Sequence, residues 1–246
     1  MNFKFIAQPR DGRLEQITKW LQEEKANTGT GFHCNISVIN KAFKDKEAFC
    51  VTVKNEAIGF CIVSPRGCTA RIEIAEVCPA FRGSGAGRFM VENCLNTLTL
   101  RGVQVVDLEC KPTESESFWR FMGFCSIPDG VDVNSFSAYN KPIKLFRPVC
   151  PAQEEILLKS SENVIELYDC EPWASRNRLP RWTWPVLTQD NSNMLKKPII
   201  HPANEKWHIR WKNGDTIVKE GKVQSFSSDS ENWGRYVILT KLPVLK

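Results

Sequence analysis

The sequence predicts an α/β protein in which a mixed sheet flanked by helices occupies residues 1–150 and a smaller β-rich domain follows over 151–246. Three observations carry this expectation. The strand, helix, strand run between 71 and 110 is too long for a hairpin and implies a parallel pair joined by a crossover. Two alternating apolar runs just before it, 49–53 and 58–62, read as an antiparallel hairpin, so the sheet is mixed. After Pro148-Val149-Cys150-Pro151 the character changes, because six of the eight tryptophans fall in the last hundred residues, among short alternating runs.

Taken in order, Leu14, Ile17, Trp20 and Leu21 recur at helical spacing and predict a helix over 14–24, ended by the polar stretch 24–32. Phe49, Val51 and Val53, then Ile58, Phe60 and Ile62, form the two arms of the hairpin across Asn55 and Glu56. A turn at Ser64-Pro65-Arg66-Gly67 leads to a strand over 71–77, which Pro79 ends because proline cannot donate to a ladder. Met90, Val91, Cys94, Leu95 and Leu98 make a helical stripe, closed by Arg101-Gly102. Residues 103–110 read as a strand, 114–122 as a short helix stopped by Gly123-Phe124, and 144–149 as a further strand. In the second half, strands are predicted over 163–168, 206–211, 215–218 and 235–240, the middle two paired across Asn213-Gly214. Trp173, Trp182, Trp184, Trp207, Trp211 and Trp233 are assigned to the core of this small domain, which needs large side chains, rather than to a binding groove.

Composition narrows the function classes. No run approaches the eighteen apolar residues of a membrane span and the first residues turn polar at once, so a cytoplasmic protein without membrane partners is expected. The ten cysteines include no C-x-x-C pair, and His33, His201 and His208 lack the spacing of zinc ligands, so reduced core cysteines and no metal are expected. The net charge of +5 is spread along the chain, with 19 basic and 16 acidic residues through Cys150 and 14 and 12 after it. Without a basic block, dedicated nucleic-acid binding is not expected.

The most informative segment runs from Val77 through Arg88, where a strand passes through a glycine-rich turn into a helix. Such a turn points several backbone N–H groups and the positive end of the helix dipole at one place, which suits a pyrophosphate. Gly83, Gly85 and Gly87 let the backbone approach it, with Ser84 and Ala86 between them and Arg82 and Arg88 adding charge. Glycine spacing alone also suits a turn without a ligand. A Walker loop is excluded, since Gly87 is followed by Arg88-Phe89 and not by Lys-Ser or Lys-Thr, and no dinucleotide fingerprint is completed.

Arg82, Gly85 and Gly87 fill every fixed position of motif A of the GNAT superfamily of acetyl-CoA-dependent N-acyltransferases, and the segment resembles it. Phe118-Trp119-Arg120-Phe121-Met122-Gly123-Phe124 is similar to the family's helix that ends in Gly-Phe. The resemblance covers about 3–148 in element order. It implies acetyl-CoA as co-substrate, an amine as acceptor, a GNAT-like fold in which the third predicted strand splays from the next, and a pantetheine arm held by the backbone of Ala75 to Val77. The identity of the amine and the oligomeric state stay open.

An amine with a pKa near 10.4 must lose a proton before it attacks, and carboxylates are the candidates for taking it. Glu76 lies on the strand before the loop, and Glu109 lies near the end of the neighbouring strand, where the family often carries an acid. Strict alternation places Glu73 and Glu76 on opposite faces, so one of them at most faces the substrate, and Glu76 is preferred. The resemblance implies a tyrosine where Trp119 stands, and an indole N–H cannot act as an acid; Tyr139 is the candidate substitute. The family's frequent asparagine before this helix is replaced in Lys111-Pro112-Thr113. Cys78 and Cys110 flank the expected cleft, but with no histidine nearby in sequence a covalent route is not expected. The expected activity is acetyl transfer by direct attack in a ternary complex. The alternatives are an acyl-CoA-binding module without catalysis and an adaptor that binds protein through its β-rich domain.

Overall fold

The computed structural model describes residues 1–131, 142–156, 163–190, 192–226 and 235–243. The chain divides into two units: Met1–Cys125 with Ile143–Val149, and Ser126–Pro142 with Cys150–Lys246. The second unit thus also takes in 126–142, and a single boundary near 150 does not separate the two.

In the first unit the order is β1 (Lys4–Ile6), α1 (Asp11–Thr28), α2 (Ile36–Lys44), β2 (Ala48–Val53), β3 (Glu56–Arg66), β4 (Thr69–Val77), α3 (Ala86–Leu100), β5 (Val105–Glu109), α4 (Glu116–Phe121), β6 (Cys125–Ser126) and β7 (Lys144–Pro148). The strands form one mixed sheet in the order β1-β2-β3-β4-β5-β7-β6. The hairpin of β2 and β3 turns on Lys54 and Asn55, both left-handed at φ 46° and 69°, the geometry that matches strand twist in a two-residue loop. The pair β4 and β5 is parallel, with α3 as the crossover.

Apolar periodicity puts α3 on one face and α1 with α2 on the other. Met90, Val91, Cys94, Leu95 and Leu98, the whole predicted stripe, are buried. They pack with Phe49, Ile58, Cys61, Ala70 and Ile72. On the opposite face Ile17, Trp20 and Leu21 of α1 join Ile39 and Phe43 of α2 against Cys50, Phe60 and Ile62. Three elements, β1, α2 and the two-residue β6, lie outside the sequence-based expectations. Strand β1 is three residues long, and α2 is a nine-residue helix whose period is carried by Ile39, Ala42 and Phe43.

Register partners Arg71 and Asp107 hold β4 to β5, with Arg71 Nε 2.6 Å from Asp107 Oδ1 and the Asp107 side chain 6% exposed. Removing one member of a buried pair leaves the other charge uncompensated. Asp107→Ala is therefore expected to lower stability by about 3 kcal/mol, measured as a shift in the urea unfolding midpoint of the whole protein.

The second unit holds β8 (Asn163–Leu167), β9 (Trp182–Pro185), β10 (Met194–Pro202), β11 (His208–Asn213), β12 (Thr216–Lys222) and β13 (Tyr236–Lys241). They form a four-stranded sheet, β12-β11-β8-β9, and a pair, β10-β13. Its core includes Trp184 and Trp207, with Trp182 and Trp211 partly buried against it. Trp173 departs from the expectation and is 74% exposed. Trp233 lies outside the described residues.

His201 sits against Trp182 and Trp184, ring centroids 4.5 and 5.4 Å away. Burial pushes its imidazole down from 6.5 to about 4. Burial foremost, then the charge of Arg210, lowers His208 as well. In the unfolded chain both rings bind a proton near pH 6.5, whereas the folded unit resists it. Stability is therefore retained above that value and lost as pH falls towards 4. The His201 contribution to that loss is at most about 3 kcal/mol. Urea titrations at pH 7 and pH 4.5 should show it, with a smaller difference in His201→Gln.

Candidate active site

Strand β4 bonds to β3 over its full length, but its pairing with β5 stops at Ile72 opposite Leu108. At the same point the register against β3 shifts: Ile62 faces Ile74 and Val63 faces Ile72, so Glu73 is an extra residue, a β-bulge. Beyond it the outer edge of β4, including Ala75 to Val77, pairs with no strand among the described residues and borders a gap.

The bulge also breaks the period of two. Ile72 packs on the α3 side of the sheet and Ile74 on the α1 side. Ala75 and Val77 return to the α3 side. The alternation argument that opposed Glu73 to Glu76 is thereby corrected, because one inserted residue changes the parity between them. Both border the cavity.

That cavity, about 1040 Å³, runs from the gap beside β4 to the turn before α3. It is large enough for a cofactor-sized ligand. Gly83 and Gly85 take left-handed φ of 74° and 89°, which side-chain-bearing residues adopt only with strain. A Cβ at either position would meet nothing within 4 Å, so the space over the turn is open. The first helical bond of α3 runs from the Phe89 N–H to the Gly85 carbonyl at 3.0 Å, leaving the N–H groups of Ala86, Gly87 and Arg88 without intrahelical partners. The turn therefore offers a set of donors at a helix N-terminus, the arrangement that binds phosphate oxygens.

The residues of this loop divide by role. Gly83, Gly85, Gly87 and Arg88 border the cavity. Arg88 is paired with Glu92 at 2.8 Å on the exposed face of α3. The Ser84 hydroxyl and N–H are both turned back to donate to the Phe81 carbonyl, at 2.6 and 3.4 Å, and the Ala86 side chain is buried in the core, so Ala86 offers a ligand only its backbone. Arg82 borders the cavity as well, its side chain 48% exposed. Its Nε donates to the Val77 carbonyl at 3.0 Å, and its Nη2 reaches Glu24 Oε1 at 2.5 Å and Glu76 Oε1 at 2.9 Å. The guanidinium is thus committed to two carboxylates.

Glu76 also accepts from the Val77 N–H at 3.0 Å. Its carboxyl is pushed up from 4.5, chiefly by burial, with the Val77 N–H and Arg82 opposing the rise and Glu24 adding to it. A carboxylate held above its usual range in a cavity is suited to accept a proton. Glu109, at the end of β5, borders the same cavity and pairs with Lys111 Nζ at 2.5 Å. Trp119 is buried edge-on to Phe118 and Phe124 and borders the cavity, so no hydroxyl stands where the resemblance implies one. Tyr139 lies outside the described residues. Burial raises the Cys110 thiol, which makes it a poor nucleophile.

Sequence reasoning missed Glu24, whose side chain is only 6% exposed. The signal was present. Ile17, Leu21 and Glu24 fall on one helical stripe, so α1 carries an acid inward where its pattern calls for an apolar residue. The segment after α1 was missed too, for it read as a polar stretch, yet Gly31, Phe32 and Asn35 border the cavity.

A mixed sheet whose β4 and β5 part beside a glycine turn at the start of α3 is a GNAT fold. Residues 14–124 match the model of the Acetyltransferase (GNAT) family, so this stretch of the chain is a GNAT acetyltransferase domain. No curated protein sequence matches the chain. Among solved structures, it is similar to an acetyltransferase of the GNAT family from Staphylococcus aureus Mu50, at 12% identity, covering 61% of this chain and 100% of that one, TM-score 0.49. It is similar also to Ard1 from Thermoplasma volcanium, at 18% identity over 61% of this chain and 100% of that one, TM-score 0.46. A third is the PaiA N-acetyltransferase from Thermoplasma acidophilum in complex with coenzyme A, at 11% identity over 60% and 99%, TM-score 0.46.

Proposed function

We propose that the first unit transfers an acetyl group from acetyl-CoA to an amine by direct attack. The observation that carries this reading is the parting of β4 from β5 at Ile72 and Leu108, which opens an unpaired strand edge beside the donor-rich turn of α3. The backbone from Gly83 to Arg88, with the N–H groups of Ala86, Gly87 and Arg88 as donors, holds the pyrophosphate. The edge from Ala75 to Val77 holds the pantetheine arm, as a strand would be held, and carries the thioester towards Glu76.

The amine nitrogen attacks the thioester carbon, the carbon–sulfur bond breaks, and the proton from nitrogen passes to Glu76 or, from the β5 side, to Glu109. The thiolate of CoA leaves unprotonated past Trp119. A thiol pKa near 8.5 makes this cost about 2 kcal/mol at pH 7, small beside the barrier as a whole. The absence of a hydroxyl at Trp119 also favours a second reading, an acyl-CoA-binding module without turnover. Release of free CoA thiol from acetyl-CoA in the presence of a panel of primary amines separates the two. Amine-dependent release is expected; binding of CoA with no release above the hydrolysis background selects the second reading.

A further inference from the structure

The cluster of Glu24, Arg82 and Glu76 is larger than a single general base requires. Three elements supply it: α1, the turn after β4, and the last residues of β4. Arg82 is fixed at two points, its Nε on the Val77 carbonyl and its Nη2 shared by Oε1 of Glu24 at 2.5 Å and Oε1 of Glu76 at 2.9 Å. The other oxygen of Glu24, Oε2, is buried and receives no hydrogen bond among the described residues. The charge of Glu24 is therefore answered chiefly by Arg82, and the two carboxylates compete for one nitrogen. Among the described residues the charged groups that bear on Glu76 are Arg82 and Glu24, and the residue across from it on β3 is Phe60, which is apolar and fully buried.

We propose that Glu24, acting through Arg82, is a positioning residue that sets the basicity of Glu76, and that Arg82 serves this clamp rather than the phosphates of CoA. The inference rests on the reading of Glu76 as the group that takes the amine proton. The physical argument is a division of charge. A guanidinium given wholly to Glu76 would stabilise its ionised form and make it a weak base. Shared with a second carboxylate, the same guanidinium still orients Glu76 but neutralises it less, while the negative charge of Glu24 favours proton uptake. Both Glu24 and Arg82 must therefore be perturbed to read this division of charge.

Opposite substitutions should therefore move Glu76 in opposite directions. In uniformly carbon-13-labelled full-length protein, the Glu76 carboxyl resonance is identified by its loss in Glu76→Gln and followed against pH. Glu24→Gln keeps the shape and removes the charge, and the Glu76 midpoint should fall by at least half a pH unit. Arg82→Gln should raise it by at least as much, and Arg82→Lys, which restores the charge, should return it towards wild type. CoA affinity by calorimetry should change less than threefold in Arg82→Gln. Midpoints that stay in place in both folded variants overturn the inference, as does a tenfold or greater loss of CoA affinity in Arg82→Gln. If the midpoints move as expected while no amine releases CoA thiol from acetyl-CoA in the wild-type protein, the acyl-transfer reading falls and the clamp stands. If thiol release occurs, the acid limb of its pH profile should follow the same two shifts, and a limb that does not follow them overturns the tuning role.

Discussion

Gly85→Glu is expected to reduce affinity for CoA at least 100-fold, about 2.7 kcal/mol, in calorimetric titration. Two separable effects make up the loss. Gly85 caps α3 at φ 89°, where a side-chain-bearing residue costs about 1–2 kcal/mol of backbone strain. Its Cβ direction is open, so the new carboxylate would extend over the turn and set its charge against the phosphates at the positive end of the helix. Gly85→Ala supplies the strain without the charge. It should lose the same order of stability as Gly85→Glu while retaining most of the affinity. An undiminished affinity in Gly85→Glu would place CoA elsewhere and remove the basis of the proposed function.

The fold of the first unit was legible in the sequence because its signals are local and redundant. The stripe from Met90 to Leu98 states which face of α3 is buried, the two apolar runs from Phe49 to Ile62 mark the arms of the hairpin, and the glycine turn between a strand and a helix can be read without knowing what lies across from it. Short elements carried too few periods to register. Strand β1 has one alternation and α2, nine residues long, only about two and a half turns, and their formation depends on sheet and helix neighbours that are distant in sequence. In the second unit β9 and β10 were unassigned for a related reason. Trp182-Thr183-Trp184-Pro185 and the run from Met194 to Pro202 contain prolines that argue against strands, yet β9 is an edge of its sheet and β10 belongs to a two-stranded pair.

The site was legible in its glycine loop and only partly in its acids. The bulge at Glu73 could not be read from period two, since an inserted residue is defined by the register of the partner strand. The destination of Arg82 was hidden likewise. In sequence it stands beside the loop glycines, whereas in space its partners are Glu76, six residues back, and Glu24, on a different helix. Both are set by partners elsewhere in the fold, the register of β3 in one case and two carboxylates in the other, which local pattern does not encode.

Glu76→Gln should lower the rate of acetyl transfer by about 10²–10⁴-fold near pH 7, the range general bases contribute. The loss should exceed that of Glu109→Gln and, by a wide margin, that of Glu73→Gln. The order follows from surroundings. Glu76 is mostly buried, oriented by the Val77 N–H and Arg82, and its pKa is raised. Glu109 has its carboxylate drawn to Lys111, whose side chain is 78% exposed. Glu73 is exposed on the bulge. Because the Glu76 carboxyl is held above 4.5, the wild-type rate should fall as pH drops through that raised value, where the base becomes protonated, and this limb should be absent in Glu76→Gln. At the other end, an amine near its own pKa of about 10 no longer needs a base, so the difference between wild type and Glu76→Gln should shrink as pH approaches 9.5. Steady-state rates at saturating acetyl-CoA across pH 5–9.5 test both limbs. A loss of equal size at every pH would assign Glu76 to holding the strand edge through Arg82 and leave Glu109 as the group that takes the proton.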